Sequence, residues 1–165
     1  MGYLNQSCYQ DRWCSTILAK CDEALTGSCI FLSTAVELNS TKITFKLYGE
    51  FSGYIAVGFS ADDQMGGNDA VYACANDNGA LKLIHATMLN NSTLTQINSP
   101  TQVFVGGFVI GSMIHCMFTV NDPKLTTVNS SQPKSFYIFL FSGNFYNGEC
   151  YWDQLESGKK YQYRQ

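Results

Sequence analysis

Charge is what this chain has least of. Only 14% of its 165 residues are Asp, Glu, Lys or Arg, the formal net charge is -3, and the only paired Lys or Arg outside single positions is Lys159-Lys160. Nucleic acids are held through phosphate contacts from basic stripes, so no nucleic-acid partner is expected. Also lacking is any C-x-x-C pair among the seven cysteines, the spacing on which structural zinc and thioredoxin-type chemistry rest. There is no G-x-S-x-G elbow and no plausible His-Asp partner for a nucleophile. Hydrolytic and acyl-transfer machinery is therefore missing, and the chain is not expected to be an enzyme in isolation. The acidic stretch Asp62, Asp63, Asn68 and Asp69 departs from EF-hand spacing and reads as a solvated loop. The opening Met1–Gln6 has neither the basic start nor the apolar run of a secretory leader, as expected if a leader has been trimmed. Gln6 stands where a myristoylation signal needs Ser or Thr. The longest apolar stretch, Val103 to Val120, is broken by Gly106, Gly107, Gly111, Ser112 and His115. It alternates like a sheet and does not read as a membrane span.

Apolar material is abundant, with 45% hydrophobic and 14% aromatic residues. A chain of this length with that content buries one substantial core. Seven cysteines are more than a reducing cytosol usually tolerates. Sequons at Asn5, Asn39, Asn90, Asn91 and Asn129 point the same way, because a glycan acceptor needs an accessible loop in a protein of the secretory pathway. A secreted protein, or one on the extracellular face of a membrane, is expected.

Residues 1–29 carry Cys8, Cys14, Cys21 and Cys29 without a sustained period, and read as an irregular, disulfide-stapled extension packed on the domain. Residues 30–155 form the domain, and 156–165 a polar tail. From Lys42 to Tyr48 the chain alternates strictly, with Ile43, Phe45 and Leu47 on one face, which describes a half-solvated strand. The stretch Tyr54–Phe59 puts Ile55, Val57 and Phe59 on one face and Tyr54, Ala56 and Gly58 on the other. Such a strand is covered on both sides. Further strands are expected at 70–74, 81–88, 102–105, 108–110, 113–120 and 136–141. Turn signals separate them, among them Asn76-Asp77-Asn78-Gly79, Gly106-Gly107 and Ser142-Gly143-Asn144. Many short strands and no convincing amphipathic helix predict an all-β antiparallel β-sandwich with an immunoglobulin-like two-sheet architecture.

The segment from Gly53 to Val71 reads GYIAVGFSADDQMGGNDAV. An aromatic-rich strand ending Gly58-Phe59-Ser60 is followed by a short acidic loop, the corner Met65-Gly66, and Asp69 opening the next strand. This resembles the DOMON domain signature. Tyr72-Ala73-Cys74, Asn76–Gly79 and Ile84-His85, with the four-cysteine lead-in before Ile30-Phe31-Leu32-Ser33, look like the ferric-chelate reductase 1 family. In haem-binding DOMON domains a Met of this loop and a His near the end of the domain clasp haem b. The resemblance therefore implies Met65 as an axial ligand, its soft sulfur being suited to haem iron. No histidine stands in the corresponding stretch Asn147–Asp153, where Tyr151 and Trp152 extend an aromatic cluster with Phe145 and Tyr146.

The candidate cofactor or ligand site is accordingly Met65, His85 and Trp152, with Met65 as the metal ligand. Trp152 could close the pocket, or stack on a sugar or another flat ligand. The resemblance also implies a Cys74–Cys116 disulfide. Cys21 and Cys29 are close enough to close a small loop, and Cys8 with Cys14 could close another or reach the sandwich. Cys150 is left as a free thiol or a bridge to a partner. Two functions follow from the resemblance. One is a haem b electron-transfer ectodomain of a membrane-anchored ferric-chelate-reductase-like protein. The other is a haem-free recognition module for a carbohydrate, a small flat ligand or a protein.

Overall fold

The computed structural model describes residues 12–19, 30–37, 42–60, 62, 64, 66–67, 69–89, 93–97, 102–121, 135–152 and 160–164. Every regular element among them is a strand: β1 (Arg12–Ala19), β2 (Ile30–Glu37), β3 (Ile43–Glu50), β4 (Tyr54–Ser60), β5 (Asp69–Asp77), β6 (Ala80–Leu89), β7 (Thr93–Gln96), β8 (Gln102–Ile110), β9 (Met113–Val120), β10 (Ser135–Tyr146), β11 (Glu149–Trp152) and β12 (Lys160–Arg164). They form two antiparallel sheets. The first has the order β1-β2-β3-β9-β8, and the second β11-β10-β4-β5-β6-β7, with β12 also paired to β10. The expected all-β sandwich is the fold observed.

Alternation puts the two sheets together. On the first sheet Ile30, Leu32, Ile43, Phe45, Leu47, Ile114, Cys116 and Phe118 turn inward; on the second Ile55, Val57, Phe59, Tyr72 and Cys74 meet them, all buried. Rings dominate the centre: Phe45 lies 5.1 Å from Phe59 and 5.4 Å from Phe118, and Tyr72 lies 5.5 Å from Phe118. Such pairs add about 0.5–1.5 kcal/mol each beyond the area they bury. The Cys74–Cys116 disulfide, implied by the family resemblance, crosses this core and ties β5 to β9 at a Cα separation of 6.4 Å.

The second sheet has a further core on its other face. It curls until its two ends, β7 and β11, touch, and Tyr54, Ala56, Val71, Ala73, Ile84, Ala86, Met88, Phe139 and Phe141 are buried within the curve. This is why β4 is buried at all seven positions, as its two-sided apolar pattern predicts. Small residues line the middle of the curve because tightly bent strands leave little room there. The Asn78-Gly79 and Asn147-Gly148 corners, with φ of 53° and 89° and of 53° and 78°, are the left-handed pairs that two-residue hairpins between twisted strands require.

Several sequence expectations change. Within 1–29, Arg12–Ala19 is not irregular but forms edge strand β1, pairing with β2 from Arg12↔Glu37 to Ala19↔Ile30. Pairing with a neighbour supplies an order that its mixed local pattern does not announce. Lys160–Arg164, in the polar tail, pairs with Ser135–Phe139 of β10. Gly106-Gly107 is not a turn but a register shift inside one continuous strand β8. Gly107 is dictated by crowding, since a Cβ there would lie 2.6 Å from the Leu81 side chain and 2.8 Å from the Cys116 Cα. Ser142-Gly143-Asn144 likewise continues β10, and a Cβ on Gly143 would meet the Tyr54 ring and hydroxyl at 2.8 Å. In both places glycine marks close approach within a sheet rather than reversal of the chain.

Candidate functional site

The corner between β4 and β5 is braced by its own polar groups. The Ser60 hydroxyl donates to the Gln64 carbonyl at 3.1 Å, and the Asp62 carboxylate accepts from the Gln64 amide at 2.9 Å. Asp69 accepts from the Gly66 amide at 2.8 Å. Gly66 and Gly67 have φ of 118° and 64°, values an L side chain resists. Asp62 is exposed, as a solvated acidic loop predicts, whereas Asp69 is buried. Burial raises the Asp69 carboxyl above its ordinary range, opposed by hydrogen bonds from Ser60 and Gly66. Met65 itself, with Ala61, Asp63 and Asn68, lies outside the described residues.

The other candidates are far apart in the strand register. His85 is in the middle of β6, opposite Tyr72 on β5, and its ring stacks on the Tyr72 ring at 4.6 Å with an interplanar angle of 9°. Tyr72 belongs to the core between the sheets, so His85 faces that core from its margin. The backbone of Trp152 pairs with Gly143, which pairs with Tyr54 at the start of β4; the Trp152 side chain is outside the described residues. The Met65 corner follows Ser60 at the other end of β4, about 20 Å away at 3.3 Å per residue. His115 is on the opposite sheet, facing outward, its ring centroid 5.9 and 5.0 Å from those of Tyr48 and Phe108 in edge-on contacts. Burial, and secondarily Lys46, lower its pKa.

The cluster at the end of the domain is divided. Phe145 packs on the curved core, while Tyr146 and Tyr151 are exposed and stacked on each other at 4.3 Å. Cys150 is a free thiol turned toward the curve, pushed up to about 12 by burial, with Lys82 opposing that shift. Cys8, Cys14, Cys21 and Cys29 as disulfide partners, and the sequons at Asn5, Asn39, Asn90, Asn91 and Asn129, fall outside what is described of the structure.

Two features were not anticipated. A groove of about 180 Å³ runs along the seam between β7 and β11, lined by Ile84, Ala86, Leu94, Gln96, Gly148, Glu149 and Cys150. It is smaller than the roughly 300–1,000 Å³ of sites for drug-sized ligands. Next to it, the buried Tyr54 hydroxyl has no hydrogen-bond partner, and burial and then Cys150 raise its pKa. The groove and the hydroxyl beside it are not visible before the curl of the sheet is known. The other is a row of rings on the outer face of the first sheet, where Phe31, Tyr48, His115 and Phe108 stand opposite one another on successive strands. Tyr48 at a solvent-face position of the alternating β3 pattern was the signal available for it. Among the described residues, no three of His, Cys, Asp and Glu gather as a metal site.

No family model matches the chain. It is similar to a Danio rerio protein named "Putative ferric-chelate reductase 1", with 26% identity over 144 residues, 86% of this chain and 25% of that protein. It is also similar to the Mus musculus and Homo sapiens proteins named "DOMON domain-containing protein FRRS1L", each 28% identical over 101 residues, 60% of this chain and 34% of the relative. The chain thus spans about a quarter to a third of the length of the curated relatives it matches. With the two-sheet fold and its disulfide, these similarities support a DOMON-like domain.

Proposed function

We propose that this DOMON-like domain of a ferric-chelate-reductase-like protein is a haem-free recognition module of the extracellular space, binding a protein, a carbohydrate or a small ligand rather than relaying electrons. The position of the histidines carries this reading. A haem held by His and Met needs both side chains to converge on one iron from opposite faces of the porphyrin. For His85 to serve, it would have to leave its stack on Tyr72, and the porphyrin would enter a space already filled by Phe59, Tyr72 and Phe118. His115 is on the outer face of the other sheet. The concave face of the second sheet is occupied by Tyr54, Phe139 and Phe141. The placement of both histidines therefore supports the haem-free reading.

Haemin titration followed by ultraviolet-visible spectroscopy tests this. The expected result is the spectrum of free haemin at every ratio, with no haem-dependent shift in melting temperature. A saturable, equimolar Soret shift that changes on dithionite reduction and disappears in Met65→Ala would overturn it.

A further inference from the structure

The outer face of the first sheet carries an apolar patch that the fold leaves uncovered. Tyr48, Phe108 and Ile110 are 37%, 44% and 69% exposed. Ring contacts run across the strands from Phe31 to Tyr48 at 5.7 Å, Tyr48 to His115 at 5.9 Å, and His115 to Phe108 at 5.0 Å. Ile110 pairs with Met113 one row further on. Aromatic and Met side chains with a charge-poor centre are what a specific protein interface enriches. An isolated exposed Leu needs no explanation, but a contiguous row over four neighbouring strands does.

Charge indicates the occupant. On β3 the exposed positions are Lys46, Tyr48 and Glu50, so one cation and one anion flank the ring row symmetrically. We propose that this face pairs with the same face of a second copy, about a two-fold axis lying along the ring row. That operation lays the row on itself and exchanges its two sides. Lys46 of each copy then faces Glu50 of the other, and Tyr48 meets Tyr48. Such an isologous contact is self-complementary by symmetry, and aligned packing of two sheets, offset by about 30°, is an ordinary geometry for it. A different apolar protein would find the same rings, but the placement of one cation and one anion at equal distances from the row is the pattern a two-fold contact uses.

The size of the patch sets the expected strength. Four strands about 4.8 Å apart and a five-residue span from Lys46 to Glu50 outline about 300 Å² in plan, or on the order of 1,000 Å² of accessible surface over both copies once side-chain relief is included. That is the low end for a specific interface, so the dimer should dissociate at a concentration on the order of 10–100 µM.

Sedimentation velocity of the whole chain from about 1 to 300 µM, a range that brackets this strength, is the test. Wild type should pass from monomer to dimer. Lys46→Glu and Glu50→Lys, both at exposed positions, should each weaken association about ten-fold by placing like charges together, and the double swap should restore it to within about three-fold. Ile110→Asn creates a sequon with Ser112, and its glycosylated form from a secretory host should remain monomeric. A wild type monomeric throughout overturns the proposal and leaves the face to a different protein. Single swaps without effect, or a double swap no better than either single, overturn the two-fold arrangement, with circular dichroism showing each variant folded.

Discussion

Replacing both Cys74 and Cys116 by Ala removes the tie between β5 and β9 while leaving no unpaired thiol at the site. The two cysteines are 42 positions apart in sequence. Restricting the unfolded chain over a loop of that length contributes about 4 kcal/mol in the chain-entropy description. Both residues are fully buried in the core between the sheets, so loss of two sulfur atoms from a close-packed interior adds to the effect. For a domain of this size, each kcal/mol corresponds to about 2–4 °C in melting temperature, so the double variant should melt about 8–16 °C lower. Differential scanning calorimetry at neutral pH measures it, with near-ultraviolet circular dichroism to establish that the variant is packed at the starting temperature. A double variant melting within about 2 °C of the parent would refute the reasoning, because the bridge would then constrain nothing that the sheets do not already constrain.

Two other outcomes are expected from the curved core. Tyr54→Phe removes a buried hydroxyl that has no hydrogen-bond partner, so urea unfolding should show equal or greater stability, by up to about 1–2 kcal/mol; a clear loss would mean that the hydroxyl has a partner. For Cys150, burial holds the proton more tightly in the folded than in the unfolded chain, at about 12 against an ordinary 9.0. Its contribution to stability is therefore complete below about pH 9 and lost as the pH climbs toward 12. At pH 7.5 an aromatic disulfide reagent should label it at least about a hundred-fold more slowly in the native protein than in urea, and equal rates would contradict a half-buried, protonated thiol.

How much of this could be read in advance depended on whether a residue's role was local. The alternation of Ile43, Phe45 and Leu47 and the two-sided run from Tyr54 to Phe59 announced β3 and β4, because burial on one or both faces writes itself into a period of two. β1 and β12 were not announced, since their order comes from strands they meet by pairing. Gly107 and Gly143 were read as turn residues because a sequence does not distinguish glycine needed for φ from glycine needed for room. The site was harder still. His85 could be named from its place beside Ile84, but which way its ring points follows from the pairing of β6 with β5, a matter of register. The groove beside Tyr54 depends on the curl that brings β7 to β11, which no local pattern encodes.

The connectivity of the strands also bears on how the chain acquires its shape. β4, β5, β6 and β7 follow one another as neighbours, so that half of the second sheet can assemble from short loops. The pairings β3 with β9 and β4 with β10, by contrast, join segments far apart in sequence, with β5, β6 and β7 lying between them. Contacts of such long range must wait for most of the polypeptide to emerge and place the domain among slow-folding topologies, on the scale of milliseconds to seconds. Until β9 and β10 arrive, the apolar faces of β3 and β4 stand open to solvent, and the Cys74–Cys116 bridge, whose two electrons pass to an external disulfide oxidant, can pair correctly only at that last step. Quality control during biosynthesis, rather than the stability of the finished sandwich, is where substitutions on these four strands should first be felt.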